Sequence, residues 1–111
     1  MEKIVTFEDF SKVDLRIGTI INVEDFPEAR NPAYQLTIDF GALGIKKSSA
    51  QITTLYKKEE LLNRQIVAVV NFPKKQIAKF MSECLVVGAV NGKDVILLNP
   101  ERKVKNGSAV S

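Results

Sequence analysis

The sequence contains no histidine, no tryptophan and only one cysteine. Without histidine, the common Ser–His and Cys–His catalytic pairs and histidine-containing metal sites are excluded. A single cysteine, Cys84, can form neither an intramolecular disulfide nor a cysteine cluster for zinc. It stands at the start of an apolar run, so we interpret it as a small core residue rather than as a reactive thiol. The sequence therefore predicts a non-enzymatic protein that needs no cofactor or metal.

Long apolar runs are also absent, and no segment approaches the roughly 20 residues that a membrane-spanning helix needs. The first ten residues, MEKIVTFEDF, hold acidic side chains where a signal peptide has a basic patch before a long apolar run. Of the 111 residues, 45% are hydrophobic and 26% charged, which is typical of a soluble globular protein. We therefore expect one domain spanning residues 1–111, located in the cytoplasm.

The charges are distributed unevenly along the chain. Residues 1–39 carry 8 acidic and 4 basic side chains, whereas residues 40–111 carry 12 basic and 5 acidic ones. Such a basic second part favours an anionic partner, of which nucleic acid is the commonest. The alternative is a solvated surface whose charge is merely uneven.

Hydrophobic periodicity indicates strands at residues 15–24, 34–40, 45–52, 66–70, 85–90 and 95–98. The runs at 66–70 and 85–90 have the length and composition of strands buried on both faces. Short helices are predicted at residues 6–13, capped by Thr6, and at residues 53–62. A helix between the third and fourth strands of a five-stranded Greek-key barrel is the plan of the OB-fold. We therefore predict an all-β OB-fold with an N-terminal helix and a C-terminal extension; an SH3-like barrel or open sandwich is the alternative.

Two basic segments are candidates for the binding surface. One is the connection between the fourth and fifth strands, and the other is the third strand, which has little apolar material. Their lysines would contact phosphates, Phe72 or Phe80 would stack an unpaired base, and hydroxyl and carboxylate groups would bond base edges or ribose. The alternatives are core packing for each phenylalanine and neutralisation of a lysine for Glu83. The predicted RNA-binding residues are Lys46, Lys47, Ser48, Ser49, Phe72, Lys74, Lys75, Lys79, Ser82 and Glu83.

Several short motifs, in this order along the chain, resemble the CsaA family. They are DLRIG at 14–18, FPEAR at 26–30 followed by Pro32, DFG at 39–41, SSAQIT at 48–53, VNFP at 70–73, and Ser82-Glu83 before LVVG at 85–88. CsaA proteins are small free-standing members of the tRNA-binding-domain superfamily, whose other members include domains appended to some tRNA synthetases. The resemblance implies an OB-fold, tRNA binding without catalysis, a homodimer, and a chaperone-like role in protein export.

Apolar positions near both ends of the chain agree with the implied homodimer. A single barrel is complete without residues 1–13 and 91–111, so we expect both segments in dimer contacts. Two positions differ from the superfamily, which commonly has glycine at Lys79 and, in the appended domains, methionine at Leu85. If the backbone at Lys79 requires a positive φ, lysine costs on the order of 1 kcal/mol there; otherwise it adds a charge to the basic connection.

A second function class remains open from the sequence alone. An apolar dimer groove rimmed by lysines would hold extended segments of unfolded or export-bound polypeptides. The half-polar third strand would then be able to receive such a segment by β-augmentation. The alternative to RNA binding is therefore a polypeptide-binding chaperone with no physiological RNA ligand.

Overall fold

The computed structural model describes residues 3–111, so the first two residues of the predicted N-terminal segment lie outside it. Two short helices are present, α1 (Phe7–Ser11) and α2 (Lys58–Leu61), with a 3-10 turn at Gly41–Leu43. The strands are β1 (Leu15–Asp25), β2 (Tyr34–Asp39), β3 (Ile45–Ala50), β4 (Gln65–Val69), β5 (Lys75–Ile77), β6 (Phe80–Ser82), β7 (Leu85–Val86), β8 (Gly88–Asn91), β9 (Asp94–Leu97) and β10 (Ala109–Val110). No helix among residues 3–111 has the length and apolar character needed to cross a membrane.

Five antiparallel strands form a nearly closed barrel in the order β3-β2-β1-β4-β7. The gap between β3 and β7 is closed by the segment after β6, where the N–H of Glu83 donates to the carbonyl of Lys47 at 2.7 Å. Helix α2 lies between the third and fourth barrel strands. These features confirm the predicted OB-fold.

The long strand β1 bends through the centre of the barrel. It pairs with β2 and β10 along one edge and with β4 along the other. A side chain at Gly18 would place its Cβ 2.6 Å from Ile38 Cγ2, so only glycine leaves room for the side chains of β2 here. Alternate residues of β2 are buried as expected for a half-buried strand. The fully buried core side chains are Ile20, Leu36, Ile38, Phe40, Leu61 and Ile66.

The apolar run at residues 85–90 differs from its prediction. It is two strands rather than one, because β7 pairs with β4 whereas β8 pairs with β9. The chain changes sheet at Gly88, where a Cβ would lie 2.5 Å from Val95 Cγ1 and any larger residue would obstruct the crossing. Leu85 and Val90 are exposed, so burial on both faces is also wrong for this run. The run at 66–70 is buried as predicted over β4.

The second predicted helix is shorter than expected. Residues 53–55 form turns, and α2 begins only after Lys57 rather than after Thr53 or Thr54. Glu60 stabilises this later start, since its carboxylate accepts the N–H of Lys57 at 2.8 Å. A further difference is the β5–β6 hairpin, which lies within the connection that the sequence pattern left without strands.

Helix α1 leads into β1, and the C-terminal strand β10 pairs with the start of β1. Thr6 caps α1 as predicted, because its Oγ1 accepts the N–H of Asp9 at 3.0 Å. Strand β10 pairs with Leu15 and Arg16, which brings the tail back onto the barrel. The side chain of Phe7 is 81% exposed, so it does not cover the barrel core.

Candidate nucleic-acid interface

The two basic segments meet because Ser82, at the end of β6, and Glu83, just after it, bind the free edge of β3. The N–H of Lys47 donates to Glu83 Oε1 at 3.0 Å, and the N–H of Ser49 donates to Ser82 Oγ at 3.3 Å. Together with the bond from the Glu83 N–H to the Lys47 carbonyl, these contacts replace the missing ladder of a neighbouring strand. The edge of β3 is therefore occupied at Lys47 and Ser49, and the expected β-augmentation has no free edge there.

The position of Ser48 corrects its predicted role. Its side chain is only 1% exposed, and its hydroxyl donates to the carbonyl of Cys84 at 2.8 Å. A buried hydroxyl needs such a partner, and here the bond joins β3 to the segment before β7. Ser48 therefore contributes to barrel closure and does not face a ligand.

A cleft of about 510 Å³ lies between the turn after β4 and the β5–β6 hairpin. Four of the predicted site residues line it, namely Phe72, Lys74, Lys75 and Ser82. Leu85, which is 48% exposed, and Cys84 complete the apolar part of its wall. The cleft thus combines apolar side chains with two ammonium groups.

A second depression, of about 350 Å³, shares Lys75, Ser82, Cys84 and Leu85 with the first. It continues along the second half of β3 and is bounded by Ile77, Val86, Val95 and Leu97. We call the two depressions together the groove. The groove has a largely apolar lining, and its polar groups are those of Ser49, Gln51, Lys74, Lys75, Gln76 and Ser82.

The remaining predicted lysines lie outside the groove. Lys46 and Lys47 are neighbours on β3, so their side chains leave opposite faces of the strand.

Lys74, which lines the groove, also contacts an acidic side chain. Its Nζ lies 3.7 Å from Glu83 Oε2, which bears out the alternative that Glu83 partly neutralises a lysine.

Lys79 occupies the two-residue turn between β5 and β6. The positive φ of this turn belongs to its neighbour Ala78, at 54°. Lysine therefore pays no left-handed penalty at position 79, and its charge is added to the basic connection.

The two phenylalanines have different environments. Phe80 is half-buried, and its ring packs against that of Phe26 with centroids 5.3 Å apart. Phe72 is 51% exposed and lines the groove, so its ring face is accessible to a ligand. Core packing is thus the better interpretation for Phe80, and base stacking remains a prediction for Phe72.

Several residues of the groove lie outside the predicted set, and Leu85 and Gln76 are two of them that line the cleft beside Phe72. No sequence signal identifies Leu85 as a groove residue, because an exposed leucine and a buried leucine within an apolar run cannot be distinguished from the sequence. The interpretation of Cys84 as a core residue is confirmed by its burial, which raises the pKa of its thiol to about 11. No group of three potential metal ligands occurs among residues 3–111.

The family of the chain follows from its match to known proteins. Residues 15–109 match the family model described as a putative tRNA binding domain. The chain belongs to this family. The match spans the barrel from the start of β1 to β10, and it therefore includes every residue that lines the groove.

Two solved structures extend the comparison to nearly the whole chain. The chaperone CsaA of Bacillus anthracis is 55% identical, with a TM-score of 0.93 over 98% of this chain and 100% of that one. The CsaA chaperone protein of Picrophilus torridus is 53% identical, with a TM-score of 0.91 over 97% and 100%. These structures confirm the resemblance to the CsaA family that the motifs predicted.

A curated relative places the same domain in a longer protein. The methionine–tRNA ligase of Pyrococcus furiosus is 42% identical over 106 residues, which are 96% of this chain and 14% of that enzyme. The chain thus spans about one seventh of the length of this relative.

Proposed function

We propose that this protein is a non-catalytic RNA-binding module that binds tRNA across the groove. The observation that carries the proposal is the combination of Lys74 and Lys75 with the accessible ring of Phe72 in one cleft. Lysines supply phosphate contacts that are independent of sequence, whereas an exposed aromatic ring accepts any unpaired base. Membership of a tRNA-binding family supports RNA as the ligand.

The proposed contacts divide by chemistry. Lys74 and Lys75 bind backbone phosphates beside the groove, and Lys46, Lys47 and Lys79 extend the positive surface around it. Phe72 stacks an unpaired base above the apolar wall. The hydroxyls of Ser49 and Ser82 are the groove's hydrogen-bonding groups for ribose or a base edge, while Glu83 holds β3 in place.

Titration of labelled tRNA across a salt series tests this proposal. We expect affinity to fall steeply as salt rises, because each neutralised phosphate releases counterions. The double substitution Lys74→Glu/Lys75→Glu reverses two charges beside Phe72 and should abolish binding at moderate salt. Affinity that is flat across the salt series, or that survives the double substitution, would contradict the proposal.

A matched control reverses two charges elsewhere on the protein. Lys103 and Lys105 flank Val104, whose N–H donates to Gln65 Oε1 at the start of β4. Phe72 follows the other end of that strand, so the tail lies away from the groove. Lys103→Glu/Lys105→Glu changes the net charge by the same amount and should reduce affinity far less. If both double variants lost the same amount of tRNA affinity, binding would depend on the overall charge of the protein and not on a site at the groove.

The second candidate function is polypeptide binding, with a chaperone-like role in protein export in the cytoplasm. The apolar lining of the groove favours it, because Leu85, Ile77 and Val86 offer contacts to apolar side chains of an unfolded chain. The two CsaA structures are also named as chaperones. Binding of an unfolded polypeptide that persists at high salt, and that Leu85→Asp removes, would favour this function.

We also propose that the protein acts as a homodimer. The exposed apolar side chains of Ile4, Val5 and Phe7 lie in the N-terminal segment predicted for dimer contacts. Exposed Ile96 and Leu98 belong to the C-terminal segment predicted for the same role. A second copy that covered both segments would remove this apolar surface from water.

A further inference from the structure

The loop between β1 and β2, residues 26–33, lies against the hairpin that carries Lys75 and Lys79. The contact is made by two aromatic rings, Phe26 from the loop and Phe80 from β6, whose planes are inclined by 59°. Tilted aromatic pairs are favourable, and Phe26 is buried, so the contact ties the loop to the hairpin. The loop therefore borders the basic connection in space, although the two lie about fifty residues apart in the sequence.

This loop forms one side of a separate cleft of about 420 Å³. Its walls include Pro27, Arg30 and Pro32 from the loop, Tyr34 from β2, and Thr53 from the turn after β3. The two prolines restrict the backbone on both sides of Arg30. The N–H of Ala29 also donates to the carbonyl of Phe26 at 3.2 Å, which closes a turn beside it. Arg30 thus projects from a short, constrained loop.

The charge of Arg30 has no acidic partner among residues 3–111. Its side chain is exposed and makes no salt bridge in the part of the chain from residue 3 onward. The carboxylate of the same cleft, Asp25, is instead paired with Lys58, whose Nζ lies 3.0 Å from Asp25 Oδ2. The cleft therefore presents the guanidinium of Arg30 and the hydroxyl of Thr53, which are both donors for an anionic oxygen.

We propose that Arg30 and Thr53 bind a backbone phosphate of the same RNA strand that occupies the groove. The inference rests on the proposed RNA-binding function and extends its surface to the loop between β1 and β2. In OB-folds, the face that binds oligonucleotides is bordered by this loop and by the loop between the fourth and fifth barrel strands, which here are β4 and β7. Arg30 belongs to neither basic segment of the sequence, and only the contact between Phe26 and Phe80 brings it to the border of one.

The test compares four proteins in titrations of labelled tRNA over a salt series. Arg30→Ala should weaken binding several-fold and make the slope of log K against log salt shallower by roughly 0.7 to 0.9, as for one lost phosphate contact. Arg30→Lys should keep most of the slope, because lysine still binds phosphate as a point charge. Lys103→Ala, an exposed cation of the tail, should leave the slope unchanged. Thermal unfolding of each variant verifies that the fold is intact.

The outcomes separate this inference from the proposed function. If Arg30→Ala has the wild-type slope while Lys74→Glu/Lys75→Glu abolishes binding, the phosphate site at Arg30 is refuted and the groove proposal stands. If neither substitution changes binding, both proposals are refuted. An equal effect of Arg30→Ala and Lys103→Ala would also overturn the site, because it would reduce Arg30 to general surface charge.

Discussion

Glu83 and Lys47 are joined by two hydrogen bonds, one from each backbone N–H. The N–H of Glu83 donates to the Lys47 carbonyl at 2.7 Å, and the N–H of Lys47 donates to the Glu83 carboxylate at 3.0 Å. The carboxylate thus occupies the place that a carbonyl of an adjacent strand would take in a regular antiparallel ladder. Barrel closure between β3 and β7 depends on this side chain as well as on the backbone.

We expect Glu83→Ala to lower the free energy of unfolding by about 1–3 kcal/mol, because the N–H of Lys47 loses its acceptor. Glu83→Gln retains an acceptor oxygen at the same position and should lower it much less. Urea denaturation of the two variants at neutral pH measures both effects. Equal losses in the two variants would show that the charge of Glu83, rather than its oxygen, holds the edge of β3.

The same pair of variants distinguishes the structural role of Glu83 from contact with RNA. Glu83→Gln removes a negative charge 3.7 Å from Lys74 Nζ, so we expect tRNA affinity to stay equal or rise. A base-edge contact by the carboxylate predicts a loss instead. Titration at fixed low salt decides between them, and weaker binding by a stably folded Glu83→Gln protein would restore the base contact.

The turn of the β5–β6 hairpin holds a non-glycine residue in the left-handed region. Ala78 has φ of 54°, and it stands first in a two-residue turn, where glycine avoids the clash of Cβ with the backbone. Ala78→Gly should therefore raise the free energy of unfolding by about 0.5–1 kcal/mol, partly offset by the greater freedom of unfolded glycine. Chemical denaturation measures the change.

Lys79→Gly is the matched control for that prediction. Lys79 lies next to Ala78 in the same turn but does not have a positive φ. Glycine should therefore bring no stability at position 79 and should weaken tRNA binding by removing a charge. If Lys79→Gly raised the free energy of unfolding and Ala78→Gly did not, the strain in this turn would have been assigned to the wrong residue.

The buried thiol of Cys84 predicts a loss of stability at alkaline pH. An exposed thiol has a pKa of about 9, whereas burial raises the pKa of Cys84 to about 11 in the folded protein. Between these values the unfolded chain releases a proton that the folded chain retains, so unfolding becomes easier as pH rises. We expect wild type to lose on the order of 2 kcal/mol more than Cys84→Ala from pH 8 to pH 11. If the free energies of unfolding of the two proteins fell by the same amount from pH 8 to pH 11, this prediction would be contradicted.

Local sequence patterns were sufficient to predict most of the barrel. The alternation at Tyr34, Leu36 and Ile38 identifies the buried face of β2, and the cap at Thr6 identifies the start of α1. These features follow from periodicity and steric limits that act within one or two elements.

The errors occur where tertiary contacts override local patterns. Residues 85–90 form one apolar run in the sequence, and nothing in that run indicates that the chain enters a second sheet at Gly88. Ser48 looks like a ligand-binding group because a polar residue on a strand resembles a surface residue, yet its buried hydroxyl closes the barrel. Arg30 was missed because its position depends on the contact between Phe26 and Phe80, which are distant in sequence.

The exposed apolar side chains of α1 provide the last prediction. Phe7 is 81% exposed and Phe10 is also exposed, although large aromatic side chains are normally among the more buried residues of a domain. Both line a cleft of about 460 Å³ that includes Val13, Ala109 and Val110, so α1 and β10 contribute apolar side chains to one surface. A second copy seated on this surface would explain why the protomer leaves it uncovered.

We therefore expect the wild-type protein to be a dimer at micromolar concentration and Phe7→Ser/Phe10→Ser to shift it towards monomer. The protomer should remain folded, since substitutions at exposed positions usually change stability by less than about 0.5 kcal/mol. Ile45→Ser removes an exposed apolar side chain from β3, outside both predicted dimer segments, and should leave the dimer intact. Analytical ultracentrifugation over a dilution series measures the three proteins. A wild-type monomer throughout the series, or equal dissociation of the α1 variant and the Ile45→Ser control, would refute the proposed interface.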